Sequence, residues 1–272
     1  MDVLEAIDGW GAAHAAAGVA AQSRVLAAHG PADRPFRLAS VTKLLTACAV
    51  MIAAEEGILD LDEPAGPPRA TVRHLLAHAS GLPFDGDEPI GRPGQRRIYS
   101  NTGYELLGAL VAERAEMPFA EYLEEGVLQP SGMRSTRLRG SPAAGAYGTL
   151  DDVLAFAREL LSGPRFVAPE TFAEMTTVAF PGIAGVVPEV GRYDPCDWGL
   201  GFELRDGKAP HWTGTLNSPR TFGHIGGSGT LFWVDPAAGL ALVCLTDREL
   251  GPWALEAWPA LSDAVLDGYL SP

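Results

Sequence analysis

The chain of 272 residues and 28.7 kDa is long enough for one large domain or two modest ones. With 47% hydrophobic and 20% charged residues it can bury a sizeable core, which excludes a disordered chain. A net charge of −14 excludes a nucleic-acid partner that would be held through its phosphates.

The longest apolar run, Leu44 to Ala54, falls short of the roughly 20 residues that span a bilayer, so no membrane association is expected. The start, Met1-Asp2-Val3-Leu4-Glu5, carries acids where a signal peptide needs a basic region, and this predicts a cytoplasmic location. Cys48, Cys196 and Cys244 are odd in number, widely spaced and form no CxxC; they are expected to be reduced thiols.

In chain order, residues 2–16 read as a helix and 19–29 as one strand or a short hairpin. From Ser40 to Glu56 the sequence is apolar on nearly all faces, which predicts a buried helix capped by Ser40 and ended by Gly57. A shorter helix is expected over Thr71–Ala79, then a Pro/Gly-rich loop from Pro83 to Gly94. Further helices are expected over 103–115, 118–126, 150–162 and 169–177, before a second Pro/Gly-rich stretch over 180–196. Strands follow at 200–204, Thr230–Val234 and Leu240–Thr246, with Asp235–Gly239 as the turn between the last two. A helix from Trp253 to Leu270 closes the chain. Strands at both ends and helices between them predict an antiparallel sheet with flanking terminal helices and an α-helical insertion, an α/β (α+β) chain.

Of the 20 basic residues only two are lysines, Lys43 and Lys208. Arginine does not give up its proton in a protein, whereas a buried lysine can. Lys43 stands three residues after Ser40, so on a helix its amine can reach the Ser40 hydroxyl. Desolvation by Leu44 and Cys48 would lower the lysine pKa and supply the base that a weak nucleophile needs. Against this stands the plain reading of a helix cap followed by a surface lysine.

Three more features bear on the chemistry. Tyr99-Ser100-Asn101 offers a phenol that a nearby ammonium could stabilise as phenolate, and an amide that could hold a carbonyl or the lysine amine; the plain alternative is a helix capped by Asn101 or Thr102. In His224-Ile225-Gly226-Gly227 the glycines leave backbone N–H groups uncovered, as an oxyanion site requires, or simply make a flexible turn. His74-Leu75-Leu76-Ala77-His78 resembles half of a zinc HExxH motif, but Leu75 replaces the glutamate and no third ligand is evident, so no metal site is expected. GxSxG, GxxxxGK and GxGxxG are all absent, which sets aside nucleophile-elbow hydrolases and nucleotide-phosphate loops.

In order, Ser40-x-x-Lys43, Tyr99-x-Asn101 and His224-x-Gly226 resemble the three active-site motifs of the serine β-lactamase/penicillin-binding-protein superfamily. The phrases around them, among them Gly57-Ile58-Leu59-Asp60-Leu61-Asp62, His74–Leu82, Gly132-Met133 and Trp198-Gly199-Leu200-Gly201, are similar to its class C β-lactamase-like branch of esterases, DD-peptidases and D-amino-acid peptidases. The resemblance runs from about Phe36 to Asp247. It implies a sheet domain from 1–38 and 197–272, a helical domain inserted over 39–196, and an active site in the cleft between them. It further implies that Ser40 attacks the substrate carbonyl while Lys43 and Tyr99 accept its proton. The N–H groups of Ser40 and Gly227 hold the oxyanion, Asn101 orients substrate or Lys43, and His224 supports Tyr99 and the leaving group. An acyl-enzyme forms and is hydrolysed, with no cofactor.

β-Lactamases and many relatives carry Lys-Thr-Gly where this chain has His224-Ile225-Gly226, although other relatives with His at this place act on peptides. Isoleucine has no hydroxyl donor and neutral histidine offers less charge than lysine. A small ester without a required anion is therefore the expected substrate. The alternatives are a D-amino-acid amidase or peptidase or weak β-lactamase, and a binding protein that keeps the cleft without turnover.

Overall fold

A computed structural model describes residues 3–270, so residue 2, at which the first expected helix begins, and the Met1-Asp2 start of the chain lie outside the described residues. A 3-10 helix, Val3–Trp10, leads into strands β1 (Ala15–Ala21) and β2 (Val25–His29). The helix expected to reach residue 16 is thus corrected: it ends at Trp10, and Ala15 and Ala16 belong to β1. Alanine favours helices intrinsically, but here the run pairs antiparallel with the last strand, from Ala15 opposite Thr246 to Ala21 opposite Leu240. Pairing with a distant strand overrides local preference.

The short β3 (Phe36–Arg37) and a 3-10 turn (Ala39–Val41) precede helix α1 (Thr42–Glu55). Next come α2 (Val72–Leu76), α3 (Asn101–Arg114) and α4 (Phe119–Leu123), the last continued by a π-helical turn to Leu128. Strands β4 (Arg137–Leu138) and β5 (Ala146–Gly148) make a small sheet with β3, in the order β3-β5-β4. Helices α5 (Leu150–Ser162) and α6 (Pro169–Met175) complete the middle of the chain.

The stretch expected as irregular over 180–196 contains a two-stranded hairpin, β6 (Gly185–Val187) and β7 (Gly191–Tyr193). Then follow β8 (Glu203–Leu204), β9 (Phe222–Gly226), β10 (Thr230–Asp235), β11 (Leu240–Thr246) and helix α7 (Pro252–Leu270). The strand expected from Leu200 shrinks to Glu203–Leu204 because Gly201 takes φ +99°, and a Cβ there would lie 2.1 Å from that of Ala47.

The main sheet has the order β2-β1-β11-β10-β9-β8, each adjoining pair antiparallel. On one face Leu4, Ile7 and Trp10 of the N-terminal turn and Trp258, Leu261 and Val265 of α7 pack against Trp233 and Leu242. On the other face lies α5, against β1, β10 and β11. By sequence α5 falls inside the 39–196 insert, yet it packs on the sheet rather than among the other helices.

Helix α1 is the centre of the helical layer, with α3, α4 and the π turn around it. Every residue from Thr42 to Ala53 is buried, as its uniformly apolar faces predict. Burying each leucine or valine there contributes about 1.5–3 kcal/mol. No helix among the described residues is long and apolar enough to cross a membrane.

Candidate active site

Ser40 is not the cap of α1. It lies one step earlier, in the 3-10 turn between β3 and α1, and no side chain caps this junction. Its neighbour Ala39 takes φ +45°, a left-handed conformation that costs an alanine about 1–2 kcal/mol. The turn is clamped from the sheet. Thr230 Oγ1 donates to the Leu38 carbonyl at 3.1 Å, and Ser228 Oγ donates to the Arg37 carbonyl at 2.6 Å. Gly226 makes this approach possible, since a Cβ there would lie 2.6 Å from the Leu38 oxygen and 2.1 Å from Thr230 Oγ1. Gly226 and Gly227, at the end of β9, therefore run directly beside the serine turn.

Lys43 is fully buried one turn into the helical segment. Its Nζ donates to Asn101 Oδ1 at 2.6 Å and to the Ala143 carbonyl at 2.9 Å, and lies 3.4 Å from Ser40 Oγ. An ammonium fills all three directions with N–H. Once one proton is lost, the two N–H groups can stay on the two carbonyl oxygens and the lone pair faces the serine hydroxyl. Burial lowers the Lys43 pKa to about 7, although the nearby Glu105 and Asp85 charges oppose the shift. Lys208, the other lysine, is also buried, but its Nζ is 3.3 Å from the Glu203 carboxylate and it donates to the Asp197 carbonyl.

Tyr99 is buried and shares a hydrogen bond with Ser40. Its ring lies against His78, with centroids 4.3 Å apart, and meets Trp198 edge-on at 6.0 Å. Lys43 Nζ stands 4.8 Å over the ring centre, on the face of the phenol. Of the two readings that the sequence left open, the phenolate is disfavoured: burial pushes the hydroxyl further up, the hydrogen bond to Ser40 opposes this only in part, and the Glu203 charge adds to the rise. The phenol is neutral.

His224 Nδ1–H donates to the Ile225 carbonyl at 2.6 Å, which leaves Nε2 to face the Tyr99 hydroxyl at 3.3 Å. Burial, and then repulsion by Lys43, lowers the His224 pKa to about 4, so the imidazole is neutral. Asn101 opens α3, but the cap of that helix is Ser100, whose Oγ accepts from Gly103 N–H. This frees the Asn101 amide, which donates from Nδ2 to Asp85 Oδ1 at 3.2 Å and so turns its oxygen toward Lys43.

A cavity of about 390 Å³ opens over Ser40, Tyr99, His224 and Gly227, within the usual size of small-molecule sites. The residues singled out in three distant segments are thus gathered at one place. The sequence reading missed Asp85 and the Ala143 carbonyl, and it weighed His78 only as half of a metal motif. Asp85 sits in the Pro/Gly-rich loop with no motif around it, and a backbone acceptor leaves no residue-type signature. His78, past the end of α2 at φ +54°, accepts from Ser100 N–H through Nδ1. His74 pairs instead with Thr71 and stacks on Phe180, so the two histidines do not converge. No group of three or more His, Cys, Asp or Glu among the described residues could hold a metal ion.

This fold and site define a family. The chain belongs to the Beta-lactamase family, whose model matches residues 6–266. That family comprises serine hydrolases, including esterases and carboxypeptidases. The solved structure of a beta-lactamase from Mycobacterium bovis is 52% identical, with a TM-score of 0.96 over 98% of this chain and 99% of that one. Penicillin-binding protein 4* of Bacillus subtilis (strain 168) is 29% identical over 205 residues, 58% of this chain and 44% of that protein. Esterase EstB of Burkholderia gladioli is 27% identical over 86% of this chain and 82% of its own length. The chain therefore spans less than half of the first of these two relatives and most of the second.

Proposed function

We propose that this chain is a serine hydrolase that works through an acyl-enzyme and whose substrates are small carboxylic esters. The observation that carries the reading is the Lys43 amine, held by two carbonyl oxygens with its third direction on Ser40 Oγ and a pKa of about 7. In its neutral form it takes the Ser40 proton as Oγ bonds to the acyl carbon. The oxyanion is received by the N–H groups of Ser40 and Gly227. The Lys43 ammonium then returns the proton to the departing alkoxide, with the neutral Tyr99 phenol relaying it past His224 Nε2. Water enters, gives its proton along the same route, and releases the carboxylic acid from Ser40. The 39–196 lobe supplies the base and one oxyanion donor, Ser40 N–H, and the edge of the sheet in 197–272 supplies the other, Gly227 N–H.

The ester preference rests on what faces the cavity. His224 is neutral and Ile225 has no hydroxyl, so this edge carries neither the cation nor the donor that a substrate carboxylate would use. Glu189 and Glu249 also line the cleft and repel an anion placed there, whereas the charge of Glu203, a third lining residue, is paired with Lys208. The kinship with EstB supports an esterase, while that with penicillin-binding protein 4* supports the amidase and peptidase reading.

A fluorophosphonate probe, with peptide mapping of the adduct, tests the nucleophile; labelling at Ser40 is expected, and none in folded protein overturns it. 4-Nitrophenyl acetate, nitrocefin and a D-alanyl amide assayed on one enzyme batch test the substrate class. Acetate hydrolysis is expected to dominate, and faster turnover of either amide overturns the ester preference.

A further inference from the structure

A second cavity, of about 430 Å³, lies between the segment leading to Tyr99 and the β6–β7 hairpin. It shares Phe84, Tyr99 and Pro188 with the cleft over Ser40, so the two spaces adjoin at the phenol ring. Its other walls include Ile90, Ile98 and Val186. Phe84, Ile90 and Val186 are 48%, 56% and 49% exposed, which leaves three large apolar side chains facing solvent around one opening.

The walls are fixed to each other. Arg97 N–H donates to the Ala184 carbonyl at 2.8 Å, and Gly185 has no room for a Cβ, which would lie 2.4 Å from that of Arg97. The Arg97 guanidinium is committed to the carbonyls of Ala77, Ala179 and Cys196. Arg96 and Arg192 are exposed and also line the cavity; Arg96 spends one N–H on the Ile90 carbonyl. No carboxylate lines this cavity, whereas three line the adjoining cleft and none of the cleft's lining residues is Arg or Lys. On a chain with a net charge of −14 this is a local reversal of sign.

We propose that this cavity is the acyl-chain subsite, taking an unbranched alkyl chain that ends in a carboxylate, with the carboxylate at the Arg96 and Arg192 mouth. The assignment rests on the ester-hydrolase reading of Ser40. The acyl half stays on the enzyme through both steps while the alcohol departs after the first, so a walled subsite serves the retained half. An anion is repelled by the cleft carboxylates and drawn to the arginines, which orients the chain away from the oxyanion donors.

The experiment compares kcat/KM for 4-nitrophenyl acetate, 4-nitrophenyl hexanoate and the mono-4-nitrophenyl ester of hexanedioic acid. Each transfers its acyl group to Ser40 Oγ with loss of nitrophenolate, and water then frees the acid. The hexanoate is expected to exceed the acetate by at least tenfold, and by about two-hundredfold if its four extra methylenes are all fully buried. The hexanedioate is expected to match or exceed the hexanoate. Arg192→Glu is expected to lower the hexanedioate-to-hexanoate ratio by about fivefold, the scale of an exposed ion pair. Val186→Trp, which fills the cavity from a half-exposed position, is expected to lower the hexanoate-to-acetate ratio.

Ratios that ignore chain length, charge and both substitutions overturn the subsite while leaving the esterase standing. Calorimetric binding of octanoate and octanol to the same proteins separates the reverse case. Octanoate binding that Arg192→Glu weakens, without turnover of any ester, upholds the subsite and removes the esterase. Equal binding of octanoate and octanol in both proteins overturns the anionic mouth.

Discussion

Lys43 Nζ and Asn101 Oδ1, 58 residues apart in sequence, stand 2.6 Å from each other. An amide oxygen holds the amine in place without adding a negative charge that would keep it protonated. The Asp85 carboxylate sits one bond further out, on Asn101 Nδ2, where it orients the amide and only partly raises the lysine pKa.

The pH profile follows from this arrangement. In the proposed mechanism Lys43 must be neutral to accept the serine proton, so kcat/KM is expected to rise with pH through about 7. Asn101→Asp puts a carboxylate against the ammonium, favours the charged form and moves this limb upward by about 1–2 pH units. Asp85→Asn removes a charge that raises the lysine pKa and moves the limb downward. A limb that stays in place in both variants, read from kcat/KM between pH 5 and 10, assigns the titration to another group.

Loss of the base is expected to be severe. Lys43→Ala lowers kcat by about 10²–10⁴, the usual weight of a general base. Lys43→Arg fares no better, because the guanidinium does not deprotonate. Tyr99→Phe, which removes the hydroxyl between Ser40 and His224, belongs in the same range. Steady-state ester hydrolysis with matched circular dichroism checks all three, and rates within threefold of the parent would dismiss the relay.

The same lysine leaves a mark on stability. Its pKa falls from the ordinary 10.5 to about 7 on folding. Between those values the unfolded chain holds a proton that the folded chain has released, so stability gained at this site rises with pH across that window. Below pH 7 the folded state bears the full cost of a buried ammonium. Lys43→Met is therefore expected to raise Tm relative to the parent most at pH 6, with the advantage shrinking toward pH 10. Scanning calorimetry at the two pH values checks the trend, and a difference independent of pH contradicts it.

Gly226→Ala tests the clamp on the serine turn. The new Cβ meets the Leu38 carbonyl at 2.6 Å and Thr230 Oγ1 at 2.1 Å. Forcing it in costs about 1–3 kcal/mol, and about 2–4 °C of Tm for each kcal/mol in a chain of this size. Ester turnover is expected to fall together with Tm, whereas Gly227→Ala, with open space around its Cβ position, leaves Tm near that of the parent. Equal Tm values for the two variants would show that the approach is not tight.

Much of this site could be read from spacing. The Ser40–Lys43 interval puts the two side chains together however the helix is phased, and the scarcity of lysine marked the amine. Helix α1 and strands β10 and β11 fall where their composition puts them. The failures have physical causes. Ala15 and Ala16 are good helix formers whose place is decided by Thr246 and Leu245 far along the chain. The β6–β7 hairpin is hidden in a Pro/Gly-rich stretch because Glu189 makes its turn at φ +64°, a conformation few would assign to glutamate. Protonation of Tyr99 depends on how deeply it is buried, and the sequence does not encode depth directly.

The clamp between β9–β10 and the Arg37–Leu38 carbonyls joins residues 191 and 192 positions apart. A ribosome-bound chain that has synthesised everything up to Gly185 already contains Ser40 and Lys43, yet holds neither strand that clamps the turn before them. In such a molecule the serine turn lacks its clamp until β9 and β10 have been made and added to the sheet.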